Sequence, residues 1–166
     1  EQIKESFNKF MRKIPKEGFV VVNADDPNVM NSTHDVECEI ITYGKSGDYS
    51  YKNESFDSNG YGNFDVYFKD EKIAHIQLSI GGKHNISNAT AVFAVASKLG
   101  INPNIIAEGI KKFTGTKRRF EYKGTFNGAR VFDDYAHHPT EISATLDSAK
   151  KMEHNKIWVV FQPHTY

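Results

Sequence analysis

Cysteine is almost missing from this 166-residue chain, Cys38 being the only one. A single thiol excludes an internal disulfide framework and a cysteine-rich zinc site. Long apolar runs are missing too: mean hydropathy is −0.56, and nothing approaches the ~18 residues of a membrane-spanning helix. Net charge is absent, with 21 Lys+Arg against 21 Asp+Glu. That balance removes the field of a general nucleic-acid or anionic-membrane surface, although a local patch survives it. No phosphate loop of the G-x-x-x-x-G-K-[ST] type occurs. With no signal peptide, the expected compartment is the reducing cytoplasm. What is present, 39% hydrophobic and 13% aromatic residues, suffices for a core and argues against disorder.

The two ends carry a further expectation. The chain starts at Glu1 already in helical rhythm, with Ile3, Phe7, Phe10, Met11 and Ile14 on one face. It stops at Tyr166, shortly after an apolar run at 157–161. This pattern suggests a piece of a longer protein.

Periodicity in between predicts an α/β chain. The continuous run Phe19-Val20-Val21-Val22 suits a strand buried on both faces of a parallel sheet. A second short strand is expected at 39–44. Mixed aromatic and polar residues follow, and antiparallel strands are expected near 49–56, 63–69 and 72–80, with Asn59-Gly60 as a hairpin turn. A helix at 85–99 stops at Gly100. Asn102 caps the next helix, which starts at Pro103 and runs to 113. Short strands at 120–123 and 130–133 flank Asn127-Gly128, Pro139 opens another helix, and 156–161 reads as a buried strand. The last third is thus strand–helix–strand, the opening βαβ of an α/β domain. A boundary is expected near 114–118.

The densest candidate site is Asp133-Asp134-Tyr135-Ala136-His137-His138-Pro139-Thr140-Glu141, between a strand's carboxyl end and a helix N-terminus. Ligands bind at such strand ends in open α/β sheets, and the helix dipole favours anions. Asp134 could accept two hydrogen bonds from a ribose diol, and the histidines could donate to phosphate or carboxylate oxygens. The plain alternative is a solvated turn in which His138 or Thr140 caps the helix. A metal site on Asp134 and His137 is a third reading. In the second candidate, His84, Asn85 and Asn88 open a helix, with the two asparagines one turn apart. A carboxamide offers a donor and an acceptor together, as an adenine edge requires; simple capping by Asn85 is the alternative. Third, Lys117-Arg118-Arg119 could meet phosphate or could be a solvated linker. Asn23-Ala24-Asp25-Asp26-Pro27 reads as a structural turn. His164 follows a strand end, Cys38 reads as buried filler, and His34, His75 and His154 read as surface residues without partners.

Taken in order, N-A-D-D-P at 23–27, G-K-H-N-I-S-N-A at 82–89, G-T-K-R-R-F-E at 115–121, D-D-Y-A-H-H-P-T-E at 133–141 and F-Q-P-H at 161–164 resemble the Mur ligase family. The likeness spans nearly the whole chain and is most specific in the last two stretches. It implies the C-terminal half of a central ATP-binding domain at 1–115, with an antiparallel β portion. It further implies the start of a Rossmann-like ligase domain at 116–166. By position it implies adenine contacts from Asn85 and Asn88 with His84 beside them, and Arg119 on the nucleotide phosphates. It implies Asp134 on the ribose, Tyr135 with His137 or His138 lining the cleft, and His164 opening the loop that meets the amino-acid substrate. The implied cofactors are ATP and Mg²⁺, whose main ligands, like the phosphate loop, are expected outside this chain. The implied reaction joins L-alanine to UDP-N-acetylmuramate through an acyl phosphate in peptidoglycan synthesis, with no nucleic acid or membrane partner. This stretch alone is expected to be inactive. The murein-peptide branch of the family, a metal-dependent phosphohydrolase and a non-catalytic nucleotide-binding module are the alternatives.

Overall fold

The computed structural model describes residues 2–163. Its first strand, β1 (Phe19–Asn23), pairs in parallel with β2 (Glu39–Tyr43), and the helices α1 (Gln2–Met11) and α2 (Pro27–Asn31) lie around them in sequence. The buried Asn8 amide ties α1 to the end of α2, donating to the Ser32 and His34 carbonyls at 2.9 and 2.7 Å. Strand β2 meets β3 (Tyr49–Phe56) at one parallel pair, Tyr43↔Tyr49. Antiparallel hairpins then add β4 (Tyr61–Phe68) and β5 (Glu71–Gly81), giving the sheet order β1-β2-β3-β4-β5.

The pleat explains which face is covered. Alternate residues point to opposite sides of a strand, so Phe64 and Val66 of β4 and Ile76 and Leu78 of β5 enter the core while Asp65 and His75 face outward. Helix α3 (His84–Lys98) covers the inner face with Ile86, Ala89 and Phe93, and α4 (Pro103–Lys112) adds Ile106 and Ile110 beside β5. Asn102 caps α4 by accepting the Asn104 amide at 2.9 Å, and Pro103 takes the first turn, where its missing N–H is harmless. Gly100 ends α3 with φ +80.

After α4 the chain forms a separate hairpin, β6 (Glu121–Phe126) and β7 (Ala129–Asp133), turning at Asn127 and Gly128 with φ +48 and +81. Helix α5 (Pro139–Lys151) follows. Its C-terminal half lies against the first sheet: Lys151 Nζ stands 5.0 Å from the Phe56 ring centroid, and Ser148 is buried.

Three expectations need correction. Strand β1 is the sheet edge, with only Val22 buried, so it is not covered on both faces. The apolar stripe of α1 keeps Ile3, Phe7 and Phe10 exposed, and the helix ends before Ile14. Residues 156–161 form no strand, and Trp158 and Val160 are 79% and 99% exposed. Extended backbone needs a hydrogen-bonding neighbour. Strand β7 pairs with β6 alone among the described residues, so the second strand of the expected βαβ is not built here.

Candidate functional site

The start of α3 depends on glycine. Gly82 has φ +101, and a Cβ there would lie 2.7 Å from His84 Cε1 and 2.8 Å from Ser148 Oγ. The His84 ring therefore folds back over Gly82, and α5 closes on the same spot. Asn85 does not cap the helix; Lys83 stands at the cap position with no side-chain bond. The Asn85 amide instead donates to the Gly81 carbonyl at 2.7 Å, and its oxygen accepts from Asn88 Nδ2 at 3.2 Å. These bonds orient both carboxamides on one exposed helix edge, as their spacing predicts.

Arg118, Arg119 and Phe120 form a strained corner before β6. Arg118 and Phe120 take φ +58 and +48, a left-handed conformation costing of order 1 kcal/mol or more in a non-glycine residue. Neighbouring bonds hold it. The Arg118 amide donates to Glu121 Oε2 at 2.8 Å, and the Phe120 amide donates to Asp134 Oδ2 at 2.7 Å. The Phe120 and Phe132 rings stack with centroids 4.6 Å apart. Arg118 also grips Tyr135 twice, its carbonyl accepting the Tyr135 amide at 2.8 Å and its guanidinium lying 4.5 Å from the ring centroid.

Asp134 staples the two loops together. Besides the Phe120 amide it accepts the Ala136 amide on Oδ1 at 2.7 Å. A carboxylate has about four acceptor positions, so each oxygen keeps one for a ligand hydroxyl. The adjacent histidines use their Nδ1 atoms differently. His137 Nδ1 lies 3.1 Å from the Tyr135 carbonyl, which can only accept, so Nδ1 holds the proton. His138 Nδ1 accepts the Thr140 amide at 3.4 Å as the N-cap of α5, the plain alternative anticipated for it. Glu141 completes the capping box, its Oε2 accepting the His137 and His138 amides at 3.4 Å each. Those two bonds lower the Glu141 pKa below its ordinary value.

His84 connects the three segments electrostatically. Packing around the imidazole is the largest influence and lowers its pKa; the Asp134 charge raises it, and Arg119 and Lys151 lower it. The charges of Asp134 and Arg119 thus reach His84 from two other segments, which the Phe120 amide ties to each other through Asp134. His164 lies outside the described residues.

One participant escaped sequence reasoning. Ser148 closes α5 onto Gly82, and no local signal marks it. Glu141 was legible as the fourth residue of H-P-T-E, the spacing of a capping box, although His138 replaces the usual Ser or Thr. His75, read as partnerless, donates through Nδ1 to Asp65 Oδ1 at 2.8 Å. The turn at 23–27 is structural as expected: Asp26 caps α2 by accepting the Asn28 amide, and Asp25 accepts the Lys45 and Ser46 amides at 2.8 and 3.0 Å. Among the described residues, no group of three or more His, Cys, Asp or Glu side chains converges as a metal site requires. Among the described residues, no third His, Cys, Asp or Glu side chain joins Asp134 and His137.

Comparison with known proteins gives these elements a context. Residues 1–96 match the Mur ligase middle domain and residues 118–165 match the Mur ligase glutamate ligase domain. The UDP-N-acetylmuramate–L-alanine ligase of Clostridium acetobutylicum is 50% identical over all of this chain and 36% of its own length. The chain thus spans about a third of the curated relatives it matches. The structure of UDP-N-acetylmuramate-alanine ligase MurC from Thermotoga maritima superposes with a TM-score of 0.74 and 28% identity, over 89% of this chain and 33% of that one. A murein peptide ligase from Psychrobacter arcticus gives 0.69 and 34%, over 90% of this chain and 32% of that one.

Proposed function

Because the chain belongs to the Mur ligase family, we propose that the whole protein ligates L-alanine to UDP-N-acetylmuramate at the expense of ATP in cytoplasmic peptidoglycan synthesis. On this reading residues 1–115 are the C-terminal half of the ATP-binding domain and residues 116–166 begin the ligase domain. The observation that carries it is the staple between the arginine corner and the Asp134 turn, with α5 closing on Gly82 beside His84.

The chain's residues suit the nucleoside end of ATP. Asn85 and Asn88 present donor and acceptor groups on one helix edge, suited to the adenine rim, with His84 beside them. The lone pairs that Asp134 retains would accept the ribose hydroxyls. Arg119 would face the phosphates, where a guanidinium fork offsets developing negative charge. Tyr135 and His137 would line the same cleft, with His138 Nε2 pointing away from its capping nitrogen. His164 would open the loop that meets the amine.

ATP would transfer its γ-phosphoryl group to the muramoyl carboxylate, releasing ADP and leaving an acyl phosphate. The alanine amine would then attack that carbonyl, and the tetrahedral intermediate would collapse to an amide and inorganic phosphate. Mg²⁺ bound elsewhere in the protein would neutralise phosphate charge. The convergence described here lacks a phosphate loop, so this stretch alone is expected not to turn over.

Phosphate release by the whole protein with ATP, Mg²⁺, UDP-N-acetylmuramate and L-alanine tests the reading. Release that does not depend on alanine refutes it. The likeness to a murein peptide ligase supports a second reading, in which the amine is a peptide. Replacing alanine by L-alanyl-γ-D-glutamyl-meso-diaminopimelate in the same assay separates the two.

A further inference from the structure

Glu141 lies outside the set of nucleotide-facing residues, yet three of them meet on it. Its Oε2 accepts the amides of His137 and His138 and lies 3.8 Å from His137 Nδ1. Its Oε1 lies 3.9 Å from Arg119 Nη1. One carboxylate therefore joins the corner before β6 to the turn after β7. Its two oxygens divide the work: Oε2 secures the start of α5 and Oε1 faces the arginine.

The geometry matters for Arg119. A guanidinium is a planar fork with five N–H donors, and Glu141 approaches it through one terminal nitrogen. Among the described residues no other carboxylate pairs with it, which leaves the opposite edge open to a second anion. The pair is long and its side chains are 65% and 37% exposed, so it is a weak electrostatic approach and not a hydrogen bond, and it biases the arginine without trapping it. Capping fixes the carboxylate itself, which a freely rotating surface glutamate would not be. The start of α5 favours a negative charge, and Glu141 supplies one that remains when a nucleotide arrives.

We infer that Glu141 is a positioning residue, its charge drawing one edge of the Arg119 guanidinium so that the other edge faces the nucleotide phosphates. This rests on the ligase reading above. It adds a residue that touches neither substrate nor nucleotide and acts through Arg119.

The test compares E141Q, E141A, R119A and the E141Q/R119A double variant in the whole protein. Glutamine keeps a carbonyl acceptor for the two histidine amides and removes the charge; alanine removes both. The expected result for E141Q is a melting temperature lowered less than in E141A, a kcat lower by about fivefold and an ATP KM altered by less than about twofold. In the R119A background the same substitution should cost nothing more, since coupled residues are non-additive. E141A should show the E141Q loss together with a lower melting temperature. Wild-type kcat in E141Q, or a loss that adds in full to that of R119A, overturns the inference while leaving the ligase reading intact. A wild-type protein without alanine-dependent phosphate release overturns the ligase reading and the inference with it.

Discussion

The Asp134 carboxylate accepts the Phe120 amide at 2.7 Å across 14 positions of sequence, and this bond sets how the arginine corner faces the D-D-Y-A-H-H turn. Phe120 is held there in a left-handed conformation. Asp134 is thus a structural staple as well as a candidate ribose ligand.

Replacing Asp134 should separate those roles. D134A leaves the Phe120 and Ala136 amides without their acceptor, and a loss of about 1–3 kcal/mol of stability is expected in chemical denaturation. D134N keeps one acceptor oxygen and should lose less. In the whole protein both should raise the ATP KM well above any change for UDP-N-acetylmuramate. Equal increases for the two substrates would remove the ribose role.

His84 should report the convergence directly. Its pKa is below the ordinary 6.5, so it is neutral in the folded protein at neutral pH. The unfolded chain binds the proton first as pH falls, so the stability His84 contributes is present above 6.5 and declines below it. Imidazole NMR should show D134N lowering the midpoint further and R119A raising it. Shifts of one sign, or none, would mean that the three segments do not share a site.

At Gly82, just before α3, the Ser148 side chain of α5 comes close to the backbone. In G82A the new methyl meets His84 Cε1 and Ser148 Oγ at a backbone φ of +101. A destabilisation of about 1–3 kcal/mol is expected by denaturation. Adding S148A should restore only part of it, because the hydroxyl contact is relieved while the backbone strain remains.

On the outer face of the sheet, Asp65 predicts the acid limb of stability. Lys72, Asn53 and His75 hydrogen-bond the nearly buried carboxylate and hold its pKa far below the ordinary 3.8. A depressed folded value means that the stabilisation is full above 3.8 and is lost as pH falls below it. D65N should cost about 2 kcal/mol at neutral pH. Its deficit against wild type should shrink steadily on acidification, as followed by urea titrations at several pH values.

Legibility in the sequence followed the range of the interactions. Asn102-Pro103 announced α4, Asn59-Gly60 the β3–β4 hairpin and Pro139 the start of α5, because caps and turns are decided within a few residues. The three polar segments around Asn85, Arg119 and Asp134 were likewise visible as motifs. Their mutual placement was not. The Glu141–Arg119 approach and the Ser148–Gly82 contact link residues that no periodicity relates.

By itself, then, the sequence determined most of the succession of helices and strands, α2 and residues 156–161 excepted, and the types of side chain at the candidate site, since propensity, capping and alternation are local. Tertiary structure decided three other things: that 157–161 stays unpaired, that β1 lies at an edge, and that His75 finds Asp65 across a strand pair. Each depends on which backbone or charge lies alongside, and only the folded chain supplies that neighbour.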